Sequence, residues 1–419
     1  MVRTCLLGFV LAAVAAGPLS SQTDPALARA RRILRAAPLV DGHNDLPFVI
    51  REDRKAPSDV EAYDLRRKST GDTDLGRLAQ GQVGAQFWSV YIPGEIKDSG
   101  YARVQLEQID IARRVIERYP ERLRLATTAA EVNAAFRAGR VGSLLGMEGG
   151  HAIENSLGAL RIFHRLGVRY MTLTHNVTLD WADAALDTPK HNGLTAFGKE
   201  VVREMNRLGM IVDISHVSPK VMHDVLDVGA SPVMFSHSSA KALTNHPRNV
   251  PDDVLRRLKG NGGVVMVTFI PRFVSQAVAD WTTKVDALTK GNPSLVDAER
   301  IRAEYARTNP PPVATLKDVA DHIEHVRTEA GIDHVGIGSD YYGSPDMPHG
   351  LEDVSKFPEL FAELIRRRWT DADLTKLAGQ NILRVLRKNE IVARGLQRER
   401  PPSTATIDKL DRNPKTSDR

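Results

Sequence analysis

His43 and Asp45 stand one residue apart at the end of a short apolar run, Pro38-Leu39-Val40, inside Asp41-Gly42-His43-Asn44-Asp45. On a β-strand alternate side chains share a face, so an imidazole and a carboxylate at this spacing can close on one metal ion. Two ligands do not make a site. Further candidates end other apolar runs: Glu148 in Gly146-Met147-Glu148-Gly149-Gly150, then His175, His216, His237 and Asp340. Taken singly, a strand-end histidine is usually hydrogen-bonded to its surroundings, and a strand-end acid usually caps the next helix. Gathered at one mouth, so many buried ionisable groups are costly unless a cation compensates them.

The ligand set narrows the metal. Cys5 is the only cysteine and lies in the first apolar stretch, so the mature chain is expected to hold no disulfide, thiolate nucleophile or thiolate ligand. Imidazole and carboxylate suit Zn²⁺ best, ahead of Mn²⁺, Co²⁺ or Fe²⁺. His43, Asp45, Glu148, His216 and His237 exceed what one catalytic zinc takes from protein. They fit a pair of ions about 3.5–4 Å apart, sharing a water whose pKa falls toward about 7. Glu148, with the longer reach and glycine neighbours, is the natural bridge. The chemistry this implies is hydrolysis by a metal-activated hydroxide.

Such residues must be positioned by strands. Eight apolar runs of strand length recur, at 39–45, 85–92, 141–148, 170–175, 210–216, 232–237, 263–269 and 334–340. Amphipathic helical patterns separate most of them, at 101–118, 156–166, 196–208, 251–258 and 316–330. Alternation of this kind predicts a parallel sheet, and eight units predict a (β/α)8 TIM barrel with a binuclear metal site at the C-terminal ends of its strands. An open doubly wound sheet would need a glycine-rich phosphate turn, and none is present. A helix is expected at 24–36, and two closing helices at 357–369 and 371–388, the second capped by Thr370. Residues 271–312, with Trp281 and Pro310-Pro311-Pro312, exceed a normal connection and suggest a lid or a dimer contact.

The 419 residues are 42% hydrophobic and 26% charged, with a net charge of +5, as expected of a globular enzyme. No arginine-rich run or basic patch interleaved with aromatics points to nucleic acid. A basic start, an apolar stretch from Cys5 to Ala16 and small residues to Ser21 make 1–22 a predicted signal peptide, too short for a membrane span. Export to a periplasm or outside the cell follows. The metal-binding barrel is expected over 23–397, and a polar, disordered tail over 398–419.

The motifs VDGHNDLP (40–47), GMEGGHAI (146–153), RYMTLTHN (169–176), DISHVSP (213–219), FSHSSAKAL (235–243), HPRNVPDDVL (246–255), GIGSDYYG (336–343) and LAGQNILRVL (377–386) occur in an order that resembles the membrane (renal-type) dipeptidase family of amidohydrolase-like metallo-barrels. The resemblance implies hydrolysis of dipeptides, including those with a C-terminal D-residue. It implies two Zn²⁺ per chain, one held by His43, Asp45 and Glu148, the other by Glu148, His216 and His237. It further implies that His175 stabilises the oxygen of the tetrahedral intermediate and that Arg248 meets the substrate carboxylate. Asp340 would handle protons or the substrate amine. A homodimer is a further family expectation. His151 and Asn44 are expected to support the site. His164, His191, His223, His246, His322, His325, His334 and His349 are expected on loops or helix faces. Where better-known relatives carry a tyrosine after the seventh strand, this chain offers Phe273, which puts side-chain preference in question. Two alternatives stay open: a related hydrolase acting on a lactam, lactone or N-acyl amino acid, and a non-catalytic metal-binding barrel.

Overall fold

The computed structural model describes residues 24–96, 100–290 and 294–411, so the leader-like segment 1–22 lies outside the described residues. The described residues form nine parallel strands: β1 (Leu39–Asn44), β2 (Val83–Ser89), β3 (Leu123–Leu125), β4 (Val141–Glu148), β5 (Val168–Thr172), β6 (Ile211–Asp213), β7 (Met234–Phe235), β8 (Val264–Val267) and β9 (Val335–Ile337). Eight of them close a barrel. β2 pairs with β4 from Ala85↔Gly142 to Ser89↔Gly146, and β1 meets β9 at Asp41↔Ile337. The short β3 pairs with the first residues of β4, along the edge that β5 takes further on. This is the expected (β/α)8 barrel, with one strand that the apolar runs did not announce.

Capping residues set the helix starts. Ser156, Thr195 and Ser218 each accept the backbone N–H three residues on, and Thr315 and Asp318 cap reciprocally. Thr370 caps the helix from Asp371 as expected, through the N–H of Asp373 at 3.1 Å. That helix does not stop at 388. A widened turn at Lys376–Gln380 leads into Asn381–Glu399, which lies across the end where the strands begin. Its Asn381 donates to the Val335 carbonyl, Arg384 to Gly262 and Asn389 to Pro232, carbonyls at or just before the starts of β9, β8 and β7. Ile382 and Leu386 join Val40, Leu144, Ile211, Met234 and Met266 in the barrel's inner core. One mouth is thus plugged, and chemistry is left to the other.

Residues 271–312, longer than a normal connection as expected, hold helices at Pro271–Val274, Gln276–Thr289 and Leu295–Thr308. One expectation is corrected. The tail is ordered over 398–411, and 412–419 lies outside the described residues. Asp411 accepts from Thr195 Oγ1 and the Phe197 N–H at the start of the helix Ala196–Leu208, while Ser403 bonds Glu204 and Arg161. Low apolar content hid these polar anchors. Among the described residues no helix is long and apolar enough to cross a membrane.

Gly146 of β4 makes room for Tyr170, since a Cβ there would stand 2.0 Å from the tyrosine ring. Gly146→Ala should therefore lower stability by about 1–3 kcal/mol, read by urea unfolding. Gly260→Ala, in an open position of the helix Asp252–Asn261, should raise it by about 0.5–1 kcal/mol.

Candidate metal centre and substrate pocket

Glu148 ends β4 with its two oxygens facing different partners. Oε2 lies 3.4 Å from His43 Nε2, and Oε1 lies 3.0 Å from His216 Nε2 and 3.3 Å from His237 Nε2. His43 Nε2 is also 3.3 Å from Asp45 Oδ1. All five predicted ligands therefore meet, and all are buried. The residues sit slightly beyond where the sequence put them. Asp45 follows β1 at the N-cap position of Leu46–Arg51 without capping it, which leaves its carboxylate free for the site. His216 and Asp340 lie three residues past β6 and β9, with left-handed φ of 65° and 64°.

The second nitrogen of each imidazole decides what the first can do. Ser236 Oγ donates to Asp213 Oδ2 at 2.6 Å, so it can only accept from His237 Nδ1 at 2.8 Å. Tyr170 donates to the Gly42 carbonyl and accepts from His43 Nδ1 at 2.9 Å, while Asn176 Oδ1 accepts from His216 Nδ1 at 3.3 Å. In the neutral rings all three Nε2 atoms are then bare lone pairs, although against the cost of burial Tyr170, Asp45 and Glu148 hold His43 above the usual imidazole range. Two of them, on His216 and His237, point at each other across 2.9 Å. His43 Nε2 and Asp45 Oδ1 are buried with no hydrogen-bond partner. Burial, with Arg248 and neighbouring imidazoles adding to it, holds His216 and His237 well below the usual imidazole range. Neutral imidazoles with converging lone pairs and a shared carboxylate repel one another unless a cation lies between them, so the residues fit divalent metal.

Around this cluster lies a pocket of about 260 Å³ lined by His175, Arg248, Phe273, Asp340, Tyr91 and Asn176, among others. His175 stacks on His216 and Tyr91, with Nε2 3.9 Å from Glu148. Asp340 Oδ1 is 4.0 Å from His43 Nε2; burial, reinforced by Asp45 and Glu148, pushes its carboxyl well above the usual range. Arg248 is buried, donates to the His237 carbonyl and Ser238 Oγ, and keeps Nε unpaired. Among the described residues it has no carboxylate partner, and burial lowers it to about 10.

The supporting residues divide. Asn44 bonds Thr73 and the Leu46 N–H, holding the turn that carries Asp45. His151 instead bonds the Ile92 carbonyl and touches no candidate ligand. His322 lies on the helix Leu316–Ala330, as expected, but on its buried face, where it accepts the Ala240 N–H just past His237, and His246 accepts the Arg248 N–H. Phe273 stacks between Arg248 and Arg272 and carries no hydroxyl. Tyr170, Asp213 and Ser236 escaped the sequence reading, although an acid closing the apolar run of β6 was the available signal.

The sequence profile of the membrane dipeptidases, peptidase family M19, matches residues 27–400. The chain belongs to that family. This metallo-dipeptidase is 43% identical over 381 residues to dipeptidase verJ of Clonostachys rogersoniana, covering 88% of this chain and 89% of the relative. A metallo peptidase of Rhodobacter sphaeroides, solved with a phosphinate mimic of the dipeptide L-Ala-D-Ala, superposes with a TM-score of 0.70 at 25% identity over 84% of this chain and 99% of that one. The probable dipeptidase PvdM of Pseudomonas aeruginosa shares the fold, with a TM-score of 0.75 at 24% identity over 88% and 99% of the two chains.

The relay through Ser236 yields a test of the M19 centre. Asp213→Asn, which leaves the Ser236 proton a weaker acceptor, should weaken metal binding about 10–100-fold in a chelator competition.

Proposed function

We propose that this chain is a dizinc dipeptidase that hydrolyses the peptide bond of free dipeptides and accepts a D-residue at the C-terminal position. The observation that carries the reading is Arg248, a buried guanidinium with no carboxylate partner among the described residues, set in the pocket beside the Glu148-centred donor set. A guanidinium fork of this kind binds a terminal carboxylate bidentately. The phosphinate complex of the Rhodobacter relative supports both the dipeptide and the D-residue.

Each residue then has a task. His43, Asp45 and Glu148 would hold one zinc, and Glu148, His216 and His237 the other. Bound there, zinc supplies Lewis acidity and a water that ionises near neutral pH. Arg248 anchors the substrate carboxylate and so sets the distance of the scissile carbonyl from Glu148. His175, stacked on His216, stands ready to donate to the oxygen that becomes negative. Asp340 holds or accepts a proton beside His43, and lies where the substrate amine or leaving nitrogen must come.

Purified protein should contain two zinc ions per chain, and chelation should abolish turnover of Ala-D-Ala, with zinc restoring it. Hydrolysis that survives complete metal removal contradicts the proposal. Arg248→Ala should cut kcat/KM for Ala-Ala by about 10²-fold or more while leaving zinc content unchanged. C-amidated and N-acetylated dipeptides should be poor substrates; their equal turnover would instead favour the broader amidohydrolase reading.

A further inference from the structure

Beyond the metal pocket the long segment after β8 builds a second cavity of about 440 Å³. Ile270, Arg272 and Gly343 line both spaces, so the two adjoin through shared walls. Gly343 also abuts Asp340: its N–H donates to the Asp340 carbonyl, and a Cβ on it would stand 2.3 Å from the Asp340 carboxylate. Trp281, Pro311, Pro312, Val313 and Met347 give this cavity an apolar face, with Arg272, Arg302 and Asp346 also in its lining. That face is also stiff. Trp281 donates to the Asn309 carbonyl at 2.8 Å and stacks against Tyr305 and Arg302, and consecutive prolines fix the neighbouring backbone. Val313 remains 70% exposed although it is a large apolar residue.

We propose that this cavity receives a large, ring-bearing apolar side chain on the amino-terminal residue of the dipeptide. The proposal rests on the dipeptidase reading above, taken with the substrate amine rather than the leaving nitrogen at Asp340, which directs that residue's side chain past Gly343. A preformed apolar wall lowers the ordering cost of binding such a group, whereas a methyl side chain would not reach it. The segment 271–312 would then select substrates rather than cover the site.

The test fills the cavity from its wall. Thr282 is half-buried, lines the cavity and touches no candidate ligand. In zinc-loaded Thr282→Trp, kcat/KM for 2-naphthylalanyl-alanine should fall at least about tenfold relative to wild type, a change near 1.4 kcal/mol. Turnover of Ala-Ala should stay within about twofold. Val313→Asp, at an exposed position, should lower the naphthyl substrate in the same sense, guarding against a folding effect of the first variant. Equal losses for both dipeptides in both variants, or no loss for the naphthyl one, would overturn the proposal. Wild type that cleaves neither dipeptide, yet binds the naphthyl compound by calorimetry with an affinity that Thr282→Trp weakens, would remove the dipeptidase reading and keep the cavity.

Discussion

Everything at the open mouth depends on a carboxylate that faces imidazole lone pairs, with the Ser89 hydroxyl donating to it at 3.5 Å. Glu148 turns one oxygen to His43 and the other to His216 and His237, and all three imidazoles have already committed their N–H groups elsewhere. Lone pairs facing lone pairs in a buried space are tolerable only with positive charge among them. A parallel barrel is suited to make this arrangement, because every strand delivers its last residues to the same side.

Beneath that layer the barrel buries two more acids, each ringed by donors and each still pushed up by burial. Asp213 receives the N–H groups of Ser215 and Ser236 and the hydroxyls of Thr172 and Ser236, four donors in all. Asp41 receives the N–H and hydroxyl of Ser339 and the Gln86 amide, and burial still pushes it up to about 6. Each acid pins the residue next to a functional one: Ser236 precedes His237, and Ser339 precedes Asp340. The lower polar layer is a jig for the upper one. At the far end Asn381, Arg384 and Asn389 tie the closing helix to the bases of three strands.

Much of this was legible in the chain. Apolar runs ending in His or acid announced both the barrel and the five residues of the Glu148-centred donor set, because burial and side-chain alternation leave that pattern in any sequence. Strand ends were less legible: His175, His216, His237 and Asp340 lie in loops past short strands, where local geometry rather than periodicity places them. Tyr170 and Ser236 were invisible because a hydroxyl inside an apolar run looks like packing until its partner is known. His322 was underrated for the opposite reason, since a helical position gave no hint that its far side meets the backbone after His237. The docked segment up to Asp411 went unseen because a few directional hydrogen bonds, not hydrophobic content, hold it.

The left-handed backbone at His216 and Asp340 carries a consequence for how such a chain tolerates change. A side chain in that region costs about 1–2 kcal/mol relative to glycine, which adopts it freely. Random substitution toward glycine at these two places would relax the main chain while erasing an imidazole of the Glu148-centred donor set or the Asp340 carboxylate. Selection for robustness and selection for turnover therefore pull in opposite directions at the same two residues, and a library screened for heat resistance alone would tend to discard the enzyme.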